Sequence, residues 1–260
     1  MIAKSESPRQ PELIAGIYNY CDSWCERCPL TARCRSFQLQ QQTTLANPAA
    51  DPNASLVQQL TEALNMTRQY IETLQKNTPL FQADTLSSAD QLTLEETVLS
   101  RRHKTGEHPA AALATAYLKQ TGAWLSDEKI LLKCAGRQQL SEVNLGIRTE
   151  DEAMVQLNAL KDAYEQIRWY RTLIPVKTKA ALRVIDEATD DEFILDYYNG
   201  KAKLVLVSID RSLAAWQTVM AYYPEKIDDM LDLLSLLSQV NRHIEAIFPT
   251  ARAFQRPGLD

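Results

Sequence analysis

A chain of 260 residues, 45% hydrophobic and 23% charged, carries enough apolar material for a sizeable core, which excludes wholesale disorder. Its formal net charge of -5 excludes whole-molecule electrostatic attraction to nucleic acid or to anionic membrane surfaces. The longest apolar run, LVLVSI at Leu204–Ile209, is far too short to span a bilayer, and MIAKSESPRQPELIAG lacks the apolar stretch of a secretory signal, so the cytoplasm is the expected location and no membrane partner is expected.

Reading from the N-terminus, four of the five cysteines fall within YNYCDSWCERCPLTARCRSF, Tyr18–Phe37. Cys21, Cys25, Cys28 and Cys34 have the spacing C-x3-C-x2-C-x5-C, compact enough for one loop with a helical turn to aim all four sulfurs inward. In a reducing compartment such a cluster points to metal binding before disulfides. Four thiolates close the coordination shell of a zinc ion or a [4Fe–4S] cluster. With no position left open for substrate, the expectation is a structural or electron-storing centre. Its expected ligands are Cys21, Cys25, Cys28 and Cys34, its expected occupant a [4Fe–4S] cluster, with zinc or an unmetallated loop as alternatives. Arg27, Arg33 and Arg35 would offset the charge of an anionic centre or simply be solvated, and Trp24 would shield it or anchor the loop. Cys134, alone among apolar residues in LLKCAG, is expected to be a buried small hydrophobe.

The last three cysteines, in CERCPLTARC, resemble the iron–sulfur loop of the endonuclease III and adenine DNA glycosylase family in their C-x2-C-x5-C spacing and in the Pro29-Leu30 pair after the middle cysteine. Iron–sulfur nucleases related to the exonuclease domain of bacterial recombination enzymes share similar trailing spacing. This resemblance covers about fourteen residues and implies a ligand role for Cys25, Cys28 and Cys34 alone. Cys21 comes three residues earlier than the glycosylase pattern requires, and neither a helix-hairpin-helix glycine loop with catalytic Lys and Asp nor a nuclease carboxylate set is present. The first three cysteines match the spacing of radical S-adenosylmethionine enzymes. Against that match, Cys34 supplies a fourth ligand and Glu26 stands where an aromatic residue is preferred. The whole chain resembles an uncharacterised bacterial helical family with an early four-cysteine loop and a tail like FPTARAFQRPGLD. That resemblance implies that loop and helices belong to one protein.

Gln38–Asn53, a Gln- and Thr-rich run ending in NPAADPN, reads as a connector, so the expected division is a metal-binding segment over 1–52 and a helical bundle over 53–260. Helical steps of Leu56, Leu60, Leu64, Tyr70 and Leu74 end at Pro79; Ser88–Arg102 and the Ala-rich Pro109–Trp124 follow. Glu150–Leu173 places Ala153, Leu157, Leu160, Tyr164, Ile167 and Ile174 on one stripe, with a restart expected at Pro175. Lys201–Tyr223 aligns Val205, Ile209, Leu213, Trp216 and Met220, so VLVSI reads as helix before strand. Glu225–Phe248, opened by Pro224, aligns Ile227, Leu231, Leu234, Leu237, Ile244 and Phe248. Seven glycines and few alternating runs complete the expectation of an all-α fold: a helical bundle with an N-terminal Cys-rich metal-binding loop. The tail from Pro249 is expected to pack over the bundle or reach towards the cysteines.

Evidence for a second site is thin. His103, His108 and His243 are not preceded three residues earlier by Glu, so the di-iron signature is missing. No His-Glu-x-x-His, Gly-x-Ser-x-Gly, phosphate loop or Gly-x-Gly-x-x-Gly occurs. Asp210 and Arg211 interrupt an apolar helix and call for charged partners, with Glu165 and Glu245 as candidates. The expected function is that of a metal-binding helical protein with a structural, redox-relay or partner-binding role, its partner another protein. The rivals are an oxidoreductase using Glu165, Asp210 and Glu245 as a carboxylate pocket, and a zinc-stabilised interaction module. The acidic balance weighs against nucleic acid.

Overall fold

The structure is a computed structural model that describes residues 12–46, 61, 64, 65, 68, 105–187 and 190–260. Its chain divides into two compact units, Met1–Tyr18 with Ser23–Val98, and Asn19–Asp22 with Leu99–Asp260. Among the described residues every regular element is helical, and no strand is present. No described helix is long and apolar enough to cross a membrane.

The first unit holds the cysteine turns and helix α1, Arg35–Ala46. The connector expected from Gln38 is therefore helical as far as Ala46, because glutamine's unbranched side chain loses little rotamer freedom on a helix. Gln38 also fixes the helix start: its N–H donates to the Cys34 carbonyl at 3.1 Å and its side-chain amide to the Ala32 carbonyl at 3.0 Å. The helices expected over 56–78 and 88–102 lie outside the described residues, apart from the helical positions 61, 64, 65 and 68.

The second unit contains α2 (Pro109–Trp124), α3 (Glu128–Asn144), α4 (Glu150–Leu182), the single turn α5 (Val184–Glu187), α6 (Glu192–Tyr222) and α7 (Ile227–Ile247). Their starts are chemically marked. Thr149 and Glu152 form a reciprocal capping box at α4, Asp191 accepts the Phe193 N–H at α6, and the His108 ring caps α2 with Pro109 as first residue. At 33 residues, α4 runs about 50 Å through Pro175 without interruption, contrary to the expected restart. Pro175 is buried between the buried Ile174 and Thr178, so packing along this helix outweighs the one hydrogen bond that proline removes.

Helix α4 packs along α6, α2 against both α4 and α7, α7 against α6, and α3 against α4. The core is built from Leu160, Tyr164, Ile167 and Ile174 of α4, Val205, Ile209 and Trp216 of α6, and Leu237 and Ile244 of α7. Burying each such aliphatic side chain contributes about 1.5–3 kcal/mol. One expected stripe is turned at its start: α7 buries Leu237 and Ile244 as expected, but Met230 and Leu233 take the buried face ahead of them, while Leu231 is exposed. VLVSI is helical, with Leu204, Val205, Leu206, Ser208 and Ile209 buried.

Near the centre of this core a tyrosine, a serine and a tryptophan satisfy one another. The Tyr117 and Ser212 hydroxyls lie 2.6 Å apart, and Trp216 Nε1–H donates to Tyr117 Oη at 3.0 Å. Trp124 meets Trp216 edge-on at 5.0 Å and stacks on Tyr164 at 5.9 Å.

Candidate metal centre

Three of the four clustered cysteines sit on or cap short 3₁₀ turns of the first unit. Cys25 opens the turn Cys25–Arg27, and the Cys28 N–H closes it on the Cys25 carbonyl at 3.2 Å. Cys34 closes Thr31–Arg33 in the same way, donating to the Thr31 carbonyl at 3.1 Å. Turns this tight suit a ligand loop, since they bring cysteines three residues apart onto one bend. The stretch before them is laid alongside: Ile14 N–H donates to the Arg33 carbonyl and Arg33 Nε to the Glu12 carbonyl, both at 3.0 Å. Arg27 lies 4.2 Å above the Trp24 ring. Two of the three arginines flagged as charge compensators thus have local structural partners.

Cys21 belongs to the second unit with Asn19–Asp22, and both its neighbours are held there. Tyr20 packs its ring 5.1 Å from that of Phe254 and 6.5 Å from that of Tyr197. The slot exists because α6 carries Gly200 beneath it, where a Cβ would come within 2.3 Å of Tyr20 and 2.8 Å of Phe254. On the other side, the Asp22 carbonyl accepts Trp169 Nε1–H at 3.0 Å, and Asp22 Oδ2 accepts Tyr170 Oη–H at 2.8 Å and Arg211 Nη1–H at 2.6 Å. Arg211 Nη1 also donates to Tyr170 Oη at 2.8 Å. Burial pushes the Tyr170 phenol up to about 12, so it stays protonated and donates throughout the neutral range.

Cys21, Cys25, Cys28 and Cys34 are all half-buried and none of the five cysteines is in a disulfide. Among the described residues no three His, Cys, Asp or Glu side chains are gathered as metal ligands. Four thiols are a donor set of the kind that closes the shell of a thiolate-bound metal. Cys134 is exposed on α3, not buried as expected: the side of α3 turned inward at this level belongs to Ala135 and Gln139.

The charged residues of α6 have partners that sequence alone did not supply. Arg211 pairs with Asp22 rather than with Glu165 or Glu245. Asp210 and Glu245 converge on Arg252 from the tail, at 2.5 and 2.8 Å, and Asn241 accepts from the same guanidinium at 2.9 Å. With side chains 49% and 41% exposed, Asp210 and Glu245 line the surface rather than a core pocket. Glu165 is half-buried on α4. The tail therefore packs back over the bundle, with Lys203 Nζ holding the Arg252 carbonyl at 2.6 Å and Phe254 meeting the residue before Cys21. It ends in a lock between the buried Arg256 and Asp260, whose carboxyl is drawn down to about 2 by the hydrogen bonds from that guanidinium.

These features define an all-helical protein carrying an N-terminal four-thiol segment. No family model, curated protein or solved structure matches the chain.

Proposed function

We propose that Cys21, Cys25, Cys28 and Cys34 hold one inorganic centre, a [4Fe–4S] cluster, in a cytoplasmic protein that works by binding another protein. The reading is carried by the donor set: four half-buried thiols within fourteen residues, none in a disulfide. Four thiolates leave no exchangeable position on the centre, which favours a structural clip or an electron relay over substrate turnover. The alternative oxidoreductase reading has less support, because Arg252 already neutralises two of its three carboxylates.

The deciding experiment is elemental analysis of the full chain purified without oxygen. About four irons and four acid-labile sulfides per chain, with a brown colour, are expected. A colourless protein with about one zinc per chain would replace the cluster by zinc on the same ligands. Protein that takes up neither metal overturns the reading. Cys28→Ser is expected to abolish the bound centre while leaving the helical circular dichroism intact.

A further inference from the structure

We propose that the seam between α6 and α7 is a recognition site for a protein segment carrying arginine two residues before an aromatic ring, filled in cis by Arg252 and Phe254 of the chain's own tail. The site rests on the function proposed above only in taking another protein as the partner. Every residue that forms it belongs to the helical unit, so it is independent of what the four cysteines hold.

The arginine is gripped at all three of its nitrogens. Arg252 Nη1 donates to Asp210 Oδ2 at 2.5 Å and Nη2 to Asp210 Oδ1 at 3.4 Å, a forked pairing that lysine cannot make. Nε donates to Glu245 Oε1 at 2.8 Å, and Nη2 also to Asn241 Oδ1 at 2.9 Å. The main chain is held as well, since Lys203 Nζ donates to the Arg252 carbonyl at 2.6 Å. One helical turn before Lys203, Gly200 leaves room for the aromatic ring two residues beyond the arginine. A Cβ there would lie 2.8 Å from Phe254 and closer still to Tyr20, whose ring packs 5.1 Å from that of Phe254. Ala251, just before the arginine, is fully buried, so only a small side chain fits at that step.

Charge, backbone and ring are thus each read at a separate point, the means by which peptide-binding surfaces select a segment. Asp210 and Glu245 come from adjacent helices and converge on one guanidinium. With Arg252 withdrawn, the two carboxylates would share that place with no cation between them, so the vacated seam selects a cationic replacement. The grip on the tail is also releasable. Side chains of Arg252, Asp210 and Glu245 are each more than two-fifths exposed, and ion pairs so open to water add little stability and weaken with salt. A tethered occupant nevertheless competes at an effective concentration on the order of millimolar, so a free segment enters only when it binds well or the tail is weakened.

The test uses the full chain and a fluorescein-labelled peptide of the tail, PTARAFQRP, followed by fluorescence anisotropy at low salt. Arg252→Gln, a change at an exposed position expected to keep the wild-type circular dichroism, opens the seam. It is expected to bind the peptide about tenfold more tightly than wild type, the factor that a millimolar competitor imposes on a ligand of about 0.1 mM affinity. Adding Asp210→Asn and Glu245→Gln is expected to abolish that gain, whereas adding Glu128→Gln, whose partner Arg168 lies on α4, is expected to keep it. A peptide with glutamine for the arginine, or alanine for the phenylalanine, is expected to bind about tenfold more weakly. GSARAFGS, which keeps only the core, is expected to bind within about threefold of the tail peptide. Equal affinity of wild type and Arg252→Gln overturns the site, and so does binding that ignores the arginine or the two carboxylates. Binding of the tail peptide but not of GSARAFGS overturns the partner assignment in favour of tail exchange between two copies. Arg252→Lys, which keeps the charge and loses the fork, guards against misfolding of the first variant: a gain of about threefold is expected, and none in a folded protein overturns the site. Metal content enters none of these comparisons, so the site and the cluster reading fail separately.

Discussion

Between Cys25 and Cys34 no side chain is buried and the backbone is held by isolated 3₁₀ turns, whereas α6 alone buries Leu204, Val205, Leu206, Ile209, Ala215, Trp216 and Val219. The two regions are ordered by different physics. Helix α6 is fixed by apolar area removed from water, a term that grows with every residue packed. Among the described residues the cysteine segment buries no side chain, and directional bonds such as those of Arg33 and Gln38 fix its turns.

The contrast is broken most severely at Trp216. Truncation to alanine leaves a cavity beside Trp124 and Tyr117 and strips Tyr117 of a donor. It is expected to cost about 3–5 kcal/mol in a denaturant titration followed by circular dichroism. A large-to-small substitution between Cys25 and Cys34, Leu30→Ala, is expected to leave that titration nearly unmoved, since no side chain there is buried.

Gly200→Ala sharpens the comparison by testing where α6 meets Tyr20. The new methyl collides with the Tyr20 and Phe254 rings, and the expected loss is about 1–2 kcal/mol, with Tyr20 the side chain displaced. The same substitution at Gly136 in α3 meets nothing within 4 Å and is expected to raise stability by about 0.5 kcal/mol, the ordinary helical preference for alanine. Equal shifts at the two sites in thermal unfolding would refute the packed slot.

The smallest effects concern pH. His108 is shifted down by burial and by nearby His243, its ring Nδ1 accepting the Ala110 N–H at the start of α2. A lowered folded value means that the neutral ring is favoured in the folded state, so this contribution is complete above the ordinary histidine range and fades as pH falls below it. Asp260, drawn down to about 2, contributes above the ordinary carboxylate range and loses that contribution only between about 4 and 2. Melting temperature plotted against pH is expected to fall in two separate steps. His108→Gln is expected to remove the upper step and Asp260→Asn the lower.

The helical period of Ala153, Leu157, Leu160, Tyr164, Ile167 and Ile174 was readable because one buried face repeats every 3.6 residues, and the structure buries all of them but Leu157, which is half-buried. Leu231 broke the same logic because two apolar residues in succession let the face turn by one position, to Met230. Pro175 misled for a related reason: a local rule predicts a stop, while the burial of its neighbours is decided by distant helices. Arg211 shows the limit most clearly. Its need for a partner was visible from its apolar surroundings, but Asp22, 189 positions away, could not be chosen over nearer carboxylates without the packing of α4 against α6. Arg252, which collects Asp210, Glu245 and Asn241, left no sequence signal beyond lying in an aromatic, proline-flanked tail.

Immediately after Asp22 the main chain passes through Ser23 at φ 59°, a left-handed conformation that costs an ordinary L-residue about 1 kcal/mol. Handedness is thus reversed for a single step between two stretches with different company. A small hydroxyl residue tolerates that reversal, glycine or asparagine would relieve it, and valine or isoleucine would refuse it. The tolerance of one unremarkable serine position to substitution therefore reads out a backbone reversal that no side-chain contact announces.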